Sequence, residues 1–326
     1  MNNKEHNFAF FGTDAFSIKV LEILIEGGFI PSLIITAPDR PAGRGQKMSE
    51  PEIKTWVKNF NQQKRGANET GEFKEIRITQ PEKLDSEFAE EMNKTKWDFF
   101  VVASYGKIIS KEVLDIAERG AFNVHPSLLP LYRGASPIES TILDDQKETG
   151  VTIMLMDEKM DHGPILNQEV VYFSQWPTKI EVESRLAEIG GLLLVETIRP
   201  FLNGEIEEQE QDHEMATFTK KITKEMGEIK FSDLEKSLGK NMDSINGDQK
   251  IAREIFLKVQ ALNPWPGVFF FINRDEREIR IKIKTAKWLT HPDKSEDNFG
   301  KLEIETVLPE GKKEMSFVDF VRGYLK

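Results

Sequence analysis

Along the first two hundred positions the apolar residues keep two alternating rhythms. Short, mostly apolar segments at 8–11, 33–36, 99–103 and 151–156, and short segments at 75–78 and 122–124 in which apolar residues flank a polar one, have the length of strands. Between them apolar positions recur at helical spacing. Ala15 to Glu26 is the clearest such segment, and Gly27-Gly28 stops it. Ser49 with Glu52 has the form of a capping box opening a helix that carries Trp56 and Val57. The polar stretch 61–71 reads as a surface loop. This alternation predicts a mostly parallel sheet covered by helices on both faces. Ligands in such folds bind beyond the carboxyl ends of the strands, so the loops after Phe11, Ala103 and Val124 are where a site is expected.

The rhythm changes after an acidic, turn-prone stretch. Residues 1–203 are predicted to form one domain, 204–214 a linker and 215–326 a second domain. In the second domain one helix over 251–262 precedes strands of period two, with Ile279, Ile281 and Ile283 alternating with charged residues, as do Leu302 and Ile304. Short half-buried strands joined by turns predict a small β-barrel, OB-like in layout.

Composition narrows the chemistry. The 326 residues are 39% hydrophobic and 30% charged, with no cysteine, which excludes disulfides, thiolate nucleophiles and cysteine-ligated zinc. The five histidines show no metal-ligand spacing. The first residues lack a basic leader followed by an apolar core, and no apolar run reaches membrane-spanning length, so a cytoplasmic location is expected. The net charge of -11 is uneven. From Met215 onward there are 21 Lys and Arg against 18 Asp and Glu, a net of +3; the preceding part holds 23 against 37, a net of −14. A mildly basic second part permits contact with a phosphate backbone.

The densest chemical signal is Asn123-Val124-His125-Pro126-Ser127-Leu128-Leu129-Pro130, directly after a predicted strand. Residues two apart on extended chain point the same way, so an amide donor and an imidazole can converge on one reacting atom. The plain alternative is a core histidine beside a turn asparagine. A second segment, Met156-Asp157-Glu158-Lys159-Met160-Asp161-His162-Gly163, holds three acidic residues and a histidine. Local sequence does not say which of them turns inward, and a solvated turn is the plain alternative. Gly12-Thr13-Asp14 lacks the full glycine fingerprint of a dinucleotide site and reads as a tight turn. Trp265, between two prolines, reads as a packing anchor.

Asn123, His125 and Asp161 resemble the Asn-His-Asp set of the formyltransferases that use 10-formyltetrahydrofolate. Ser127-Leu128-Leu129-Pro130 and Asp161-x-Gly163 carry the match. Gly12-Thr13, the run Val101-Val102-Ala103-Ser104-Tyr105-Gly106, Asn263-Pro264-Trp265-Pro266-Gly267 and Pro309-Glu310-Gly311-Lys312-Lys313 extend it over nearly the whole chain. The loop Pro38-Asp39-Arg40-Pro41-Ala42-Gly43-Arg44-Gly45 is similar to the segment by which methionyl-tRNA formyltransferases approach the acceptor end of their tRNA. Its arginines suit phosphates and splayed bases. Amino-sugar formyltransferases share the Asn-His-Asp core and are the alternative, but are expected to lack this loop. Three positions depart from the family pattern: Asp14 replaces a usual proline, and His162 and Pro164 replace a small polar and an acidic residue beside Asp161.

The resemblance implies a Rossmann-like α/β catalytic domain and a tRNA-binding second domain. It implies formyl transfer from 10-formyltetrahydrofolate, as co-substrate, to the free amino group of initiator methionyl-tRNA, with no metal, in a protein expected to be monomeric. Asn123 is expected to donate to the formyl oxygen. His125 is expected to donate to it as well or to relay the amine's proton. Asp161 is expected to hold the imidazole or to steer a water. The folate is expected against Ser104, Tyr105 and Gly106 and against Ser127, Leu128, Leu129 and Pro130. Contacts to tRNA are expected from Arg40, Arg44, Lys220 and Lys221.

Overall fold

The computed structural model of the chain describes residues 6–42, 47–67, 74–239, 247–290 and 300–325. Its first elements are β1 (Phe8–Gly12), α1 (Ala15–Glu26), β2 (Leu33–Ile35), β3 (Arg40–Ala42), β4 (Lys47–Ser49), α2 (Glu52–Ala67), β5 (Arg77–Thr79) and α3 (Ser86–Asn93). Next come β6 (Phe99–Ala103), α4 (Lys111–Leu114), β7 (Ala121–His125), α5 (Pro137–Leu143), β8 (Glu148–Leu155), β9 (Ile165–Tyr172) and α6 (Lys179–Leu202). The remaining elements are α7 (Phe231–Leu238), α8 (Gln249–Leu262), β10 (Val268–Arg274), β11 (Arg277–Thr290), β12 (Gly300–Pro309), β13 (Met315–Ser316) and α9 (Phe317–Tyr324). The chain divides into two compact units. One comprises Met1–Pro137, Glu148–Tyr172 and Glu183–Thr219; the other comprises Ile138–Lys147, Phe173–Val182 and Lys220–Lys326. Residues 204–214, expected to be a linker, thus pack with the first unit.

The first unit is built on a seven-stranded sheet in the order β5-β2-β1-β6-β7-β8-β9. Strands β5 through β7 run parallel, whereas β8 and β9 are antiparallel to their neighbours. The chain steps outward from β1 to β2 and β5, then crosses back to β6 on the other side of β1. The switch point therefore lies between β1 and β6, where ligands of open α/β sheets bind. Every residue of β1, β6 and β7 is buried, as expected of strands covered on both faces.

The two faces of β7 differ. Ala121 joins a core cluster with Ala9, Phe11, Phe100, Val102, Tyr105 and Trp97. On the opposite face Phe122 meets Phe201 edge-to-face at 5.3 Å. Gly190 of α6 sits so close to Val124 that a Cβ there would lie 2.6 Å from its Cγ1. A side chain at 190 would lift the helix off the strand.

The helical reading of 15–26 holds to the residue, with Asp14 as its N-cap: the Asp14 carboxylate accepts from Ser17 N at 3.2 Å. Three local readings need correction. Ser49 ends β4, and α2 starts at Glu52 with Lys54 N donating to Pro51 O, so no capping box opens it. The helix also runs through 61–67, where a loop was expected. Asn61 is pinned there by paired bonds to the Ile76 backbone, at 2.9 and 3.2 Å, and Lys64 and Arg65 lie in the last turn, where the helix dipole favours cations. Strand β9 was not foreseen, because as an edge strand it exposes much of its length.

The second unit contains a four-stranded antiparallel sheet, β10-β11-β12-β13. Val268, Phe270, Ile272, Ile281 and Ile283 form its buried face, paired across β10 and β11 in register. A bulge near Thr285 then flips the phase of β11, so that Ala286 and Trp288 turn inward after Ile283. Trp265, read as an anchor, is 55% exposed. No helix among the described residues is long and apolar enough to cross a membrane.

Phe100 is fully buried in the core cluster beneath β6 and β7. Phe100→Ala is expected to lower the unfolding free energy by about 3–5 kcal/mol. The check is a denaturant titration, in which the midpoint should fall while the slope stays unchanged.

Candidate active site

Strand β7 delivers Asn123 and His125 to the same face, at its carboxyl end, as the two-residue period demands. Both are buried, at 8% and 4% exposure. The β8–β9 connection folds back to bring Asp161 to them. Of the three acids in that connection, Asp157 turns to His162, which it meets at 2.6 Å, Glu158 is exposed, and Asp161 faces the pair. Asn123 Nδ2 donates to Asp161 Oδ1 at 3.4 Å, and His125 Nδ1 lies 3.8 Å from the same oxygen. The second distance is too long for a direct hydrogen bond. The other ring nitrogen, Nε2, is 3.1 Å from Tyr132 O. A carbonyl only accepts, so Nε2 carries the hydrogen in that bond and Nδ1 faces the carboxylate.

Asp161 adopts a left-handed φ of 48°. Its second oxygen accepts from Gly134 N at 2.7 Å. Gly134 has φ of 113°, and a Cβ there would meet Thr219 Oγ1 at 2.8 Å, so the amide reaches the carboxylate only because the residue is glycine. Further bonds come from Gln211, whose Nε2 donates to Asp161 O at 3.0 Å and to Gly163 O at 2.7 Å. Arg133, Gly134 and Gln211 were not singled out from the sequence. Gln211 carries no local signal, being fifty positions from Asp161 in a stretch that reads as a linker.

The loop after β7 is stiffly held. Ser127 is fully buried and donates from its hydroxyl to Leu131 O at 2.7 Å. Thr152 donates to Ser127 O at 2.7 Å and accepts from Leu129 N at 3.1 Å, while Gln168 donates to Leu129 O at 2.8 Å. Leu129 packs with Met154 and Ile165. Leu128 and Pro130 are half-buried.

At the β1/β6 switch point Ser104 has φ of 50° and donates to the Asp14 carboxylate at 2.5 Å; Thr13 donates to Tyr105 O at 3.4 Å. Gly106 follows with φ of 74° and open space around it. The ring of Tyr105 turns into the core against Phe11, and its hydroxyl is buried without a hydrogen-bond partner. Desolvation pushes its phenol up to about 12.

Farther along, Asp39 is bound by both Lys54, at 2.7 and 2.8 Å, and Gln80, at 2.7 Å. These bonds, that to Lys54 foremost, hold its carboxyl below the usual carboxylate range. They fix the root of the β3–β4 hairpin. Arg40 on that hairpin is exposed and lies 3.6 Å from the equally exposed Glu82, a pairing worth little. Arg44 lies outside the described residues. Lys220 and Lys221 are exposed. Among the described residues no group of three His, Asp or Glu is arranged to hold a metal ion.

Comparison with known proteins gives the family. A family model described as formyl transferase matches residues 6–198, and one described as formyl transferase, C-terminal domain, matches residues 237–325. Fold, site and family model together define a formyl transferase. The methionyl-tRNA formyltransferase of Halalkalibacterium halodurans is 33% identical, covering 96% of this chain and 93% of its own. That of Protochlamydia amoebophila is 32% identical over 100% of this chain and 98% of its own. The chain belongs to the methionyl-tRNA formyltransferase family. Among solved structures, an N-formyltransferase from Helicobacter canadensis in complex with folinic acid and dTDP-3-aminofucose shares the fold, with TM-score 0.59 and 15% identity over 92% of this chain and 99% of that one. HypX from Aquifex aeolicus in complex with tetrahydrofolic acid does so with TM-score 0.59 and 13% identity, over 99% of this chain and 48% of that one.

Tyr105 offers a test of the switch-point geometry. Its folded pKa of about 12 exceeds the ordinary 10.0, so its contribution to stability is fully present below about pH 10 and is lost as pH rises toward 12. Ultraviolet titration should show one tyrosine ionising near pH 12, and Tyr105→Phe should remove that step. Because the hydroxyl has no partner, this substitution should change stability near neutrality by no more than about 1 kcal/mol.

Proposed function

We propose that this chain transfers the formyl group of 10-formyltetrahydrofolate to the free amino group of initiator methionyl-tRNA. The observation that carries the reading is the convergence of one amide, one imidazole and one carboxylate at the carboxyl end of β7. The names of full-length relatives identify the acceptor class.

The chemistry needs an uncharged amine to attack the formyl carbon, a tetrahedral intermediate with a developing oxyanion, and a proton moved from the attacking nitrogen to the leaving one. Asn123 supplies an amide N–H to the oxyanion in a water-poor site, where a preorganised donor is typically worth about 100- to 1000-fold in rate. His125 takes the proton. The bond from Nε2 to Tyr132 O supports this role over donation to the oxyanion, because it leaves Nδ1, on the Asp161 side, as the basic nitrogen. Asp161 orients that exchange and stabilises the imidazolium that forms. The stapled loop 127–130 and the turn of Ser104, Tyr105 and Gly106 bound the space for the folate. At Tyr105 and Ser127 the side chains turn inward, which favours folate contact through backbone over contact through the hydroxyls. The tRNA acceptor end is read as approaching the arginine loop with Arg40 and Arg44, and its body as meeting the mildly basic second domain, Lys220 and Lys221 included.

Asn123→Ala, His125→Ala and Asp161→Ala should each reduce turnover by at least about 100-fold while leaving the fold intact. Mass spectrometry of the product after incubation with 10-formyltetrahydrofolate and methionyl-tRNA is the readout. Near-normal single-turnover rates for His125→Ala would refute the mechanism, and formylation of an amino sugar in place of methionyl-tRNA would reassign the acceptor.

Lysine cannot copy a planar guanidinium that forks to phosphate or stacks on a base. Arg44→Lys should therefore lower kcat/KM for methionyl-tRNA by about 10-fold or more, as expected for one charge-assisted contact. Folate binding should not change. Steady-state kinetics with each substrate varied in turn decides it, and wild-type values for both substrates would make the loop idle.

A further inference from the structure

We infer that Gln211, oriented by Arg133, is a positioning residue that sets the aim of Asp161; the inference rests on the role given to Asp161 above. One side-chain amide bonds two carbonyls of the Asp161 turn. Its two N–H bonds go to the carbonyls of Asp161 and Gly163, at 3.0 and 2.7 Å. Its oxygen accepts from Arg133 Nε at 3.1 Å and from Arg133 Nη2 at 2.6 Å. All four bonds available to a primary amide are thereby made, at a residue only 4% exposed. Arginine has no acceptor, so the amide oxygen must face Arg133 and the NH₂ must face the turn. The flip of the amide is fixed by chemistry.

Arg133 is itself buried, at 3% exposure, and its Nη2 also meets His213 Nδ1 at 2.9 Å. Its backbone is tied to the same stretch of chain as Gln211: Arg133 N donates to Thr217 O at 2.9 Å and Thr219 N to Arg133 O at 2.7 Å. The next residue, Gly134, gives its amide to the Asp161 carboxylate. Residues 133–134 thus grip Asp161 twice, directly at Oδ2 and through Gln211 at the backbone. What remains unclamped is Oδ1, the oxygen turned to Asn123 and His125. A left-handed φ is strained at a non-glycine residue and persists only where its surroundings hold it, so loss of the Gln211 bonds lets the Asp161 backbone relax and shifts the carboxylate. Misplacement of a reacting group by about 1 Å can cost 100-fold in rate.

Gln211→Glu tests this with almost no change of shape. It strengthens the bond to Arg133 through charge, but turns two donors into an oxygen facing two carbonyls. The expected result is a fall in kcat of about 10- to 100-fold. The KM for 10-formyltetrahydrofolate should stay near wild type, while the thermal midpoint falls because buried polar groups lose their partners; the variant still unfolds in one cooperative transition. Gln211→Met, an uncharged isostere without donors, should behave likewise. In an Asp161→Ala background the Gln211→Glu change should cost less than about twofold more, because residues acting on one transition state do not lose activity additively. Wild-type kcat in either folded variant, or a full multiplicative loss in the Asp161→Ala background, overturns the inference while leaving the proposed function standing. Insolubility of both variants would overturn it too, by making Gln211 a core residue. Near-normal turnover by Asp161→Ala alone would instead remove Asp161 from the mechanism, and the inference with it.

Discussion

Everything at the site hangs on the alternation of side chains along five residues of β7. Phe122 and Val124 are committed to the face packed by α6, through the Phe201 ring and the bare backbone of Gly190. That commitment leaves Asn123 and His125 no choice but the other face. A slip of one residue would push an amide and an imidazole against α6 and expose two apolar side chains, so the register is held by the hydrophobic core rather than by the site itself. The same alternation sets depth: Ala121 still belongs to the core cluster, and the polar pair begins where that cluster ends.

The change of strand direction at β7 supplies the rest. Strands β5 through β7 are parallel, but β8 pairs antiparallel, with Asn123 opposite Met154 and His125 opposite Thr152. One neighbour of β7 can therefore lend both its connection to β9, which carries Asp161, and its own Thr152, which staples the loop after His125. Because Leu155 lies opposite Phe122, that connection leaves beside the start of β7 and folds back to bring Asp161 to Asn123. Thr152 and Gln168 bond Ser127 O and both backbone groups of Leu129, which gives that wall little freedom to move.

How much of this was legible depended on the range of the forces involved. Strand period and apolar runs act locally, and they placed β1, β2, β5, β6, β7 and β8 within a few residues and put Asn123 and His125 on one face. The choice among Asp157, Glu158 and Asp161 was not local. It depends on the Gly134 amide and on Gln211, both far along the chain, and resemblance to a family supplied what the residues alone left open. Gln211 was invisible for the same reason: its neighbours are acidic and turn-prone, which reads as a linker, whereas its own bonds run inward. Helix α2 outlasted its polar sequence because Asn61 found a partner in the Ile76 backbone. In β11 a bulge reversed the alternation after Ile283, which no period-two template anticipates.

A protein of net charge -11 that handles a polyanion needs a physical account. Screening shortens the reach of each surface charge to about 8 Å at physiological ionic strength, so the sum over the chain matters less than what lies near each phosphate. The excess of acid is concentrated before Met215, whereas the stretch that follows is mildly basic. Within the acidic part the cations near the arginine hairpin are divided by task. Lys54 is spent on Asp39 at the hairpin's root, where it stabilises the fold. Arg40 is paired only loosely with Glu82 and keeps most of its guanidinium in solvent. An exposed pair of this kind gives up its partner at little cost, so a phosphate could displace Glu82 without disturbing the root. The acidic surroundings then disfavour lingering, non-specific contact with nucleic acid. Overall acidity is, on this reasoning, compatible with a tRNA substrate and works against the wrong ones.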